Sequence, residues 1–226
     1  MPSADLDPSR SLRTSTTPLE AAVVVAVCFG WAIVSSLSSL RDTGSPGVFS
    51  NASLVVTMVM ELGFAAMTLM FLRWRGYAVV SLRPEPNLID SGLGVALLFG
   101  CWIFSALVIS PFAAEWSEQP IAHMVAQAHL SLPLVVVSST VNGAFEETFL
   151  LGVLTRGLRG LGASTALGLP LLVRILYHVY QGPIGALSVA AFGLLLGVFY
   201  LRTGRLWPVV AAHVLADIVA FFDVAA

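Results

Sequence analysis

Charged residues are scarce in this sequence, and lysine is absent from it. Only 11% of the 226 residues are charged and 57% are hydrophobic, with a mean hydropathy of +0.88. Soluble globular domains carry about 25% charged residues, so this composition excludes an ordinary soluble domain and indicates a polytopic membrane protein. The formal net charge of −2 gives no indication of nucleic-acid binding.

Cysteine is nearly absent as well. The two cysteines, Cys28 and Cys101, both lie in apolar runs, where we expect small buried side chains rather than disulfide partners or metal ligands. The sequence also lacks an internal repeat and a matched pair of broken helices. Their absence argues against a transporter built from inverted repeats.

Seven long apolar runs fill most of the chain, at residues 19–40, 52–72, 91–113, 132–151, 163–180, 185–201 and 206–222. Runs of about 17–25 apolar residues fit a bilayer core about 30 Å thick. We therefore predict an all-α bundle of about seven transmembrane helices, forming a single domain over residues 19–226. The polar, Pro/Ser/Thr-rich residues 1–18 are predicted to be a disordered cytoplasmic leader.

Two of these runs allow a second interpretation. The first could be a cleaved signal peptide, because "SSLSS" (residues 35–39) offers small residues. The fifth contains "LGLP" (residues 167–170), and a helix that starts only there would leave a short re-entrant segment.

The arginines are concentrated in alternate loops. They precede the first run and follow the second, fourth and sixth runs, at Arg10, Arg13, Arg73, Arg75, Arg83, Arg156, Arg159, Arg202 and Arg205. The other loops contain Arg41 with Asp42, then Glu115 and Glu118, and then no charge. The positive-inside rule therefore places the N-terminus in the cytoplasm and the C-terminus outside. The arginine-only, Ala/Val/Leu-rich composition suggests a GC-rich bacterium, so we expect a multi-pass protein of a bacterial plasma membrane.

Few ionisable residues lie within the apolar runs, and each is costly there and is therefore a functional candidate. They are Glu61, Glu146, Glu147, Arg174, His178, His213 and Asp217. Glu61 stands alone, and we expect it to be neutral or paired with a neighbouring helix. The other six form three local groups on three predicted helices.

The spacing within these groups defines their geometry. Adjacent residues point about 100° apart on a helix, so Glu146 and Glu147 cannot share one role. Each histidine lies four residues from a charged residue and shares a helix face with it. These pairs are Arg174 with His178 and His213 with Asp217. The groups form either a polar network that locks the helices together or a hydrated site between the fourth, fifth and seventh helices, and we favour the second.

Three further polar residues, Tyr177, Tyr180 and Gln181, lie towards the outer end of the fifth run. We expect them to form a polar and aromatic belt at the membrane interface.

A hydrated site of this composition supports hydrolysis. A glutamate carboxylate can act as general base on water, and imidazoles can orient that water or donate to a developing oxyanion. No Ser or Cys nucleophile motif and no HExxH motif is present. Two histidines and a glutamate could also hold zinc, so activation by glutamate and activation by a metal both stay open. The apolar surroundings suggest a peptide substrate in or next to the membrane.

Adjacent glutamates at 146 and 147, a histidine at 178, and a histidine at 213 with an aspartate four residues later form an ordered set. This order resembles the CPBP family of intramembrane proteases, whose motifs are EExxxR, FxxxH and HxxxN/D. The resemblance covers roughly residues 132–222 and includes the "TGRLWPVVAAH" stretch that leads to His213. It implies an intramembrane endopeptidase.

The sequence departs from two of these motifs. Leu151 stands where EExxxR has arginine, and Arg174 stands where FxxxH has phenylalanine. One motif has lost a guanidinium and the next has gained one. We therefore predict that Arg174 forms an ion pair with Glu147 and replaces the lost arginine from another helix.

Carried over by position, the resemblance implies a role for each site residue. Glu146 would be the general base, with His178 helping to hold the water or a metal. His213 and Asp217 would line the oxyanion side, with Asp217 either orienting His213 or staying protonated. Asn142, one turn before Glu146, could donate to the Glu146 carboxylate or serve as an amide that packs two helices. No cofactor is predicted, although a zinc ion would find ligands in Glu146, His178 and His213.

Two other functions are compatible with these residues. One is a catalytically inactive relative, a membrane scaffold or an immunity or maturation factor that binds a peptide without cutting it. The other is a small transporter or proton relay that uses the same buried groups. The expected partners are a membrane peptide or protein substrate and the lipid bilayer.

The site is predicted to lie within the membrane and to open towards its cytoplasmic half. Glu146 lies ten residues from Arg156, about 15 Å along a helix, and His213 lies eight residues from Arg205, about 12 Å. Single cysteines placed next to Glu146 should therefore react with a membrane-impermeant thiol reagent added from the cytoplasmic side. Labelling that reaches the site only from outside would contradict both the topology and this access route.

Overall fold

Helices account for almost all of the chain in the computed structural model, which describes residues 12–41, 47–112 and 119–222. There are eight helices in these ranges: Pro18–Ser39 (α1), Asn51–Trp74 (α2), Leu88–Phe112 (α3), Pro120–Ala126 (α4), Leu132–Thr155 (α5), Ala163–Leu176 (α6), Pro183–Thr203 (α7) and Leu206–Phe222 (α8). Short 3₁₀ turns lie at Val79–Leu82, Arg159–Leu161 and Val179–Gln181.

The predicted all-α membrane bundle is confirmed, with seven apolar helices close to the seven predicted runs. Five of them, α1, α2, α3, α5 and α7, are long and apolar enough to cross a bilayer, whereas α6 and α8 are shorter. The short helix α4 has no counterpart among the predicted runs. Residue 113 of the third run and four charged residues of the orientation argument, Arg10, Asp42, Glu115 and Glu118, lie outside the described residues.

The helix of the fifth run differs from the prediction. It begins at Ala163, before the "LGLP" stretch, and contains Pro170 in its interior. The helix is short because it ends at Leu176. Its 14 residues span about 21 Å, less than the thickness of a bilayer core. The chain therefore leaves the helix immediately before Tyr177 and His178.

The predicted disordered leader over residues 1–18 stays a prediction, because residues 1–11 lie outside the described residues. Residues 12–17, just before α1, are in contact with the bundle. The amide of Arg13 donates to the carbonyl oxygen of Gly76 at 3.2 Å. The guanidinium groups of Arg13 and Arg75 both donate to Glu20, whose side chain is completely buried. The hydrogen bond to Glu20 raises the pKa of Arg13 above its ordinary value. These contacts fasten the start of α1 to the end of α2.

Helix α5 lies between α2 and α8 and carries the adjacent glutamates at the end of its α-helical part, Leu132–Glu147. From Thr148 to Thr155 it continues as a π-helix, a form that is frequent at functional sites. Helices α6 and α7 pack against each other and against this π-helical part, and α8 also packs against α3. The glutamates therefore face the centre of the bundle.

Gly143 lets α5 and α8 approach each other closely. A Cβ atom on Gly143 would lie 2.9 Å from Cγ2 of Val214 and 3.1 Å from its backbone nitrogen. Gly143 lies one turn before Glu147, and Val214 follows His213 directly. The close contact therefore brings Glu147 within bonding distance of His213.

Replacing Gly143 by alanine should push α5 and α8 apart and lower the free energy of unfolding by about 1–3 kcal/mol, the usual cost of overfilling a packed core. Gly63→Ala is the matched control, because Gly63 lies in α2 with no atom within 4 Å of an added Cβ and alanine is the better helix former. Thermal unfolding in detergent should give a lower midpoint for Gly143→Ala alone. Equal midpoints would show that the contact at Gly143 is unimportant.

Candidate active site

Four ionisable side chains from three helices meet inside the bundle. Glu146 and Glu147 come from α5, Arg174 from α6 and His213 from α8. Glu147 is 0% exposed, Arg174 3%, and Glu146 and His213 5% each. Charges this far from water are stable only when they are paired and hydrogen-bonded. The pairing of these four groups therefore determines the geometry of the site.

Glu147 is the centre of this cluster. Its Oε1 accepts a hydrogen bond from Nη2 of Arg174 at 2.6 Å and another from Nδ1 of His213 at 2.6 Å. The predicted ion pair of Glu147 and Arg174 is therefore present, and α6 supplies the cation that the EExxxR motif would place on α5. The bond to Glu147 also places the proton of His213 on Nδ1.

Arg174 fits into the cluster because Gly193 of α7 has no side chain. A Cβ atom on Gly193 would lie 2.6 Å from Cδ of Arg174 and 3.0 Å from its Nε. The ring centre of Phe192 lies 6.0 Å from the guanidinium carbon and 5.5 Å from the centre of the His213 ring. Helix α7 thus supplies both the space for Arg174 and an aromatic wall within cation–π distance of it.

Glu146 has different neighbours from Glu147, in keeping with the angle between adjacent residues on a helix. The hydroxyl of Tyr177 donates to Oε2 of Glu146. Nη1 of Arg174 lies 3.7 Å from the same oxygen, and Nε2 of His213 lies 3.9 Å from it. The last two distances are too long for hydrogen bonds, so Glu146 is attracted by these groups but keeps acceptor capacity.

Tyr177 lies in the site, which corrects its expected place at the membrane interface. The side chain is 6% exposed, and its ring stacks on Phe29 of α1 at 5.3 Å. The physical reason is the early end of α6 at Leu176, which leaves Tyr177 inside the bundle. The spacing of three residues from Arg174 was the indication in the sequence, because residues at this spacing share a helix face.

His178 lies beside the cluster and outside its hydrogen bonds. Its Nδ1 is 2.9 Å from the carbonyl oxygen of Arg174, and because a carbonyl oxygen only accepts, the proton is on Nδ1 and Nε2 is an acceptor. The ring lies 4.4 Å from that of Tyr177. Within the described residues, no hydrogen bond or ion pair joins His178 to Glu146.

Asn142 and Asp217 form a second pair between α5 and α8. Nδ2 of Asn142 donates to Oδ2 of Asp217 at 2.8 Å. Of the two roles considered for Asn142, this contact agrees with an amide that packs two helices and not with a donor to Glu146. The face of α5 that carries Asn142 packs on α8, where Asp217 follows His213 by one turn. Oδ1 of Asp217 lies 3.6 Å from Nε2 of His213, beyond hydrogen-bond distance. The hydrogen bond that orients His213 comes from Glu147 instead.

Glu61 is the residue whose place the sequence did not indicate. It is 9% exposed on α2 and lies within electrostatic range of Glu146, Asp217 and His213. No hydrogen bond or ion pair from the described residues reaches it, so of the two expectations, a neutral carboxyl or one paired with a neighbouring helix, the pairing is not observed. A single glutamate has no spacing pattern, and only the packing of α2 on α5 brings it to the site.

The cluster contains metal-binding residue types, but not as the predicted set. Ligand atoms of Glu146, Glu147 and His213 lie within 4.8 Å of one another, and His178 is not part of this group. Glu147 already accepts hydrogen bonds from His213 and Arg174. A guanidinium group in contact with these carboxylates competes with any metal ion for their charge. In this arrangement the carboxylate of Glu147, Arg174 and His213 form one hydrogen-bonded network.

The helices that carry the cluster match a known protein family. Residues 127–219, which contain α5, α6, α7 and most of α8, match the family model described as type II CAAX prenyl endopeptidase Rce1-like. The match agrees with the resemblance to the CPBP family, and this region of the chain is similar to CAAX-type intramembrane proteases. No curated protein and no solved structure matches the chain.

Removal of Arg174 should leave Glu147 buried without its cation. We expect Arg174→Leu to lower the free energy of unfolding by about 3–5 kcal/mol, as when one partner of a buried ion pair is removed. Adding Glu147→Gln should restore part of the loss, because it removes the unpaired charge. Thermal unfolding midpoints of the single and double variants in detergent measure both effects.

Returning the arginine to its usual place provides the second arm of this experiment. Leu151 and Arg174 line the same small internal cavity, so a guanidinium group at either position can reach it. Leu151→Arg combined with Arg174→Phe should be more stable than either single variant. If Arg174→Leu unfolds at the wild-type midpoint and the combined variant is no better than its singles, the two positions do not exchange one charge.

Proposed function

We propose that the protein is an intramembrane endopeptidase that hydrolyses a membrane-embedded or membrane-adjacent peptide with a water molecule activated by Glu146. The observation that carries this proposal is the meeting at one buried point of Glu146 from α5, His213 from α8 and Tyr177, which directly follows α6. The three residues lie within the region that matches the CAAX-type endopeptidase family.

The neighbours of Glu146 suit it to the task of a general base. Tyr177 donates to Oε2 and so fixes the orientation of the carboxylate. Oε1 accepts no hydrogen bond within the described residues, and we assign to it the removal of a proton from water. The guanidinium of Arg174, at 3.7 Å from Oε2, supplies positive charge next to the carboxylate.

A buried carboxylate oxygen supports the presence of water in the cluster. Oε2 of Glu147 is inaccessible and accepts no hydrogen bond within the described residues. Buried polar atoms of this kind are ordinarily satisfied by ordered water. A water site among apolar helices is what hydrolysis of a peptide bond inside a membrane requires.

The proposed reaction uses these positions in turn. Glu146 takes a proton from water, and the hydroxide attacks the carbonyl carbon of the scissile bond. His178 helps to hold this water through Nε2. In its imidazolium form His213 donates Nε2–H to the oxyanion, while Nδ1–H stays bonded to Glu147. Glu146 then gives the proton to the leaving amine as the C–N bond breaks, which yields a carboxylic acid and an amine. Asp217 lies on the oxyanion side of His213.

The placement of the arginines supports a multi-pass protein of a bacterial plasma membrane with a cytoplasmic N-terminus. In this orientation the substrate reaches Glu146 from the cytoplasmic half of the bilayer. The competing function, an inactive scaffold or an immunity or maturation factor, would use the same cluster to bind a peptide without cutting it.

Replacing Glu146 by glutamine should abolish peptide hydrolysis, with a loss of about 100-fold or more. The purified protein, reconstituted in liposomes, is mixed with membrane proteins of the expression host, and new N-termini are counted by mass spectrometry. Glu85→Gln is the matched control, because Glu85 is an exposed loop residue far from the cluster in sequence. New N-termini with the wild type and Glu85→Gln only would support the proposal. Equal counts with all three proteins and with empty liposomes would support the scaffold.

Chelation separates the two ways of activating water. Treatment with phenanthroline should leave the cleavage rate unchanged if Glu146 acts with the network of Glu147, Arg174 and His213. Loss of cleavage that added zinc restores would show a metal-assisted reaction and overturn this part of the proposal.

A further inference from the structure

A surface groove lies between α6 and α7, away from the hydrogen bonds of the candidate active site. It encloses about 450 Å³ and is lined by Arg159, Ala163, Leu167, Val198, Leu201 and Arg202. Arg159 lies just before α6, and Arg202 lies in the last turn of α7. The groove therefore runs from the loops at one end of the bundle onto the apolar sides of two helices.

The two arginines of the groove have no carboxylate partner within the described residues. Nη2 of Arg159 donates to the carbonyl oxygens of Tyr200 and Leu201 at 3.1 and 2.7 Å, which holds this guanidinium at the end of α7. Arg202 is exposed and has no hydrogen bond or ion pair among the described residues. The groove thus keeps two positive charges that no described residue neutralises.

Some arginines at the same end of the bundle are paired with carboxylates. Arg13 and Arg75 share Glu20, and Arg205 forms an ion pair with Asp90. Arg73, by contrast, is exposed and has no carboxylate partner among the described residues. The groove is therefore distinguished by two such arginines beside one apolar wall.

The rest of the groove is apolar. Leu167, Val198 and Leu201 are half-buried, and Ala163 is exposed. A lining with two cations at one end and aliphatic side chains along the other matches a molecule that has an anionic head and a hydrocarbon chain. Basic pockets between transmembrane helices on the cytoplasmic side are known to bind the head groups of anionic lipids.

We propose that this groove binds an anionic phospholipid. Its phosphate lies between the guanidinium groups of Arg159 and Arg202, and one acyl chain runs along Leu167 and Val198. Inorganic phosphate would leave the apolar wall uncovered, and a zwitterionic lipid carries a cation of its own that opposes the two guanidinium groups. The charge and the shape of the groove together select an anionic lipid.

The lipid would lie next to the helices that hold the candidate active site. Leu167 lines the groove and also lines the small internal cavity that contains Arg174 and Gly193. An acyl chain on Leu167 therefore packs against the helix pair that places Arg174. Bound lipid should raise the thermal stability of this helix pair, and the test needs no measurement of peptide hydrolysis.

Lipid binding is measured on the full-length protein, purified in neutral detergent and freed of lipid. Dioleoylphosphatidylglycerol is titrated in, and the bound fraction is read by native mass spectrometry. Arg202→Gln should weaken binding about fivefold, the loss expected for one charge at a membrane surface. Arg159→Gln with Arg202→Gln should remove most of the binding. Arg73→Gln, which removes an exposed arginine at the end of α2 outside the groove, should bind as the wild type does.

Three comparisons separate this groove from general attraction to negative charge. Dioleoylphosphatidylcholine should bind more weakly than the anionic lipid, and Val198→Asn should weaken binding of the anionic lipid because it makes the wall polar. Glycerol 3-phosphate should not compete. The proposal is overturned if Arg73→Gln weakens binding as much as Arg202→Gln does. Equal binding of both lipids, or full competition by glycerol 3-phosphate, would overturn it as well.

Discussion

The carboxylate of Glu147 joins three helices that otherwise meet mainly through apolar side chains. One of its oxygens binds Arg174 of α6 and His213 of α8 at the same distance of 2.6 Å. None of these three groups is stable alone in a dry interior, so each requires the other two. The three groups can meet only because the helices pack closely. Gly143 lets α8 approach α5, and Gly193 leaves space for the side chain of Arg174. The positive charge that the family motif places on α5 can therefore come from α6 without loss of the cluster.

Because Glu147 accepts the hydrogen bonds of Arg174 and His213, these two groups do not occupy the acceptor positions of Glu146. Glu146 is oriented by Tyr177 and lies 3.7–3.9 Å from Arg174 and His213, which is attraction without a full set of hydrogen bonds. Glu147 thus joins the helices and keeps the proton of His213 on Nδ1. Glu146 faces the substrate in the proposed reaction. The π-helical turn that begins at Thr148 directly follows this pair. Irregular helix at this point is consistent with side chains that are placed for function rather than for regular packing.

Much of this arrangement was predictable from the sequence, and the exceptions have physical causes. Apolar length located the seven helices, and the paired departures at Leu151 and Arg174 predicted the ion pair with Glu147. The sequence left two roles open for Asn142 and two for Asp217, because spacing defines a helix face but not the helix that packs on it. Tyr177 was misplaced because apolar length gave α6 a full span, whereas the helix ends at Leu176. Glu61 could not be assigned to the site from the sequence, since only the packing of α2 on α5 brings this single residue close to it.

The state of His213 tests the central claim most directly. In protein labelled with ¹⁵N-histidine and reconstituted in a bilayer, solid-state NMR reports which ring nitrogen carries a proton and how strongly that proton is bonded. Loss of a resonance in His213→Gln assigns it. The structure predicts a protonated, strongly hydrogen-bonded Nδ1 whose signal shifts in Glu147→Gln, with a much smaller change in Glu85→Gln. An unprotonated Nδ1, or a signal that stays in place in Glu147→Gln, would contradict the role of Glu147 as the shared acceptor of Arg174 and His213.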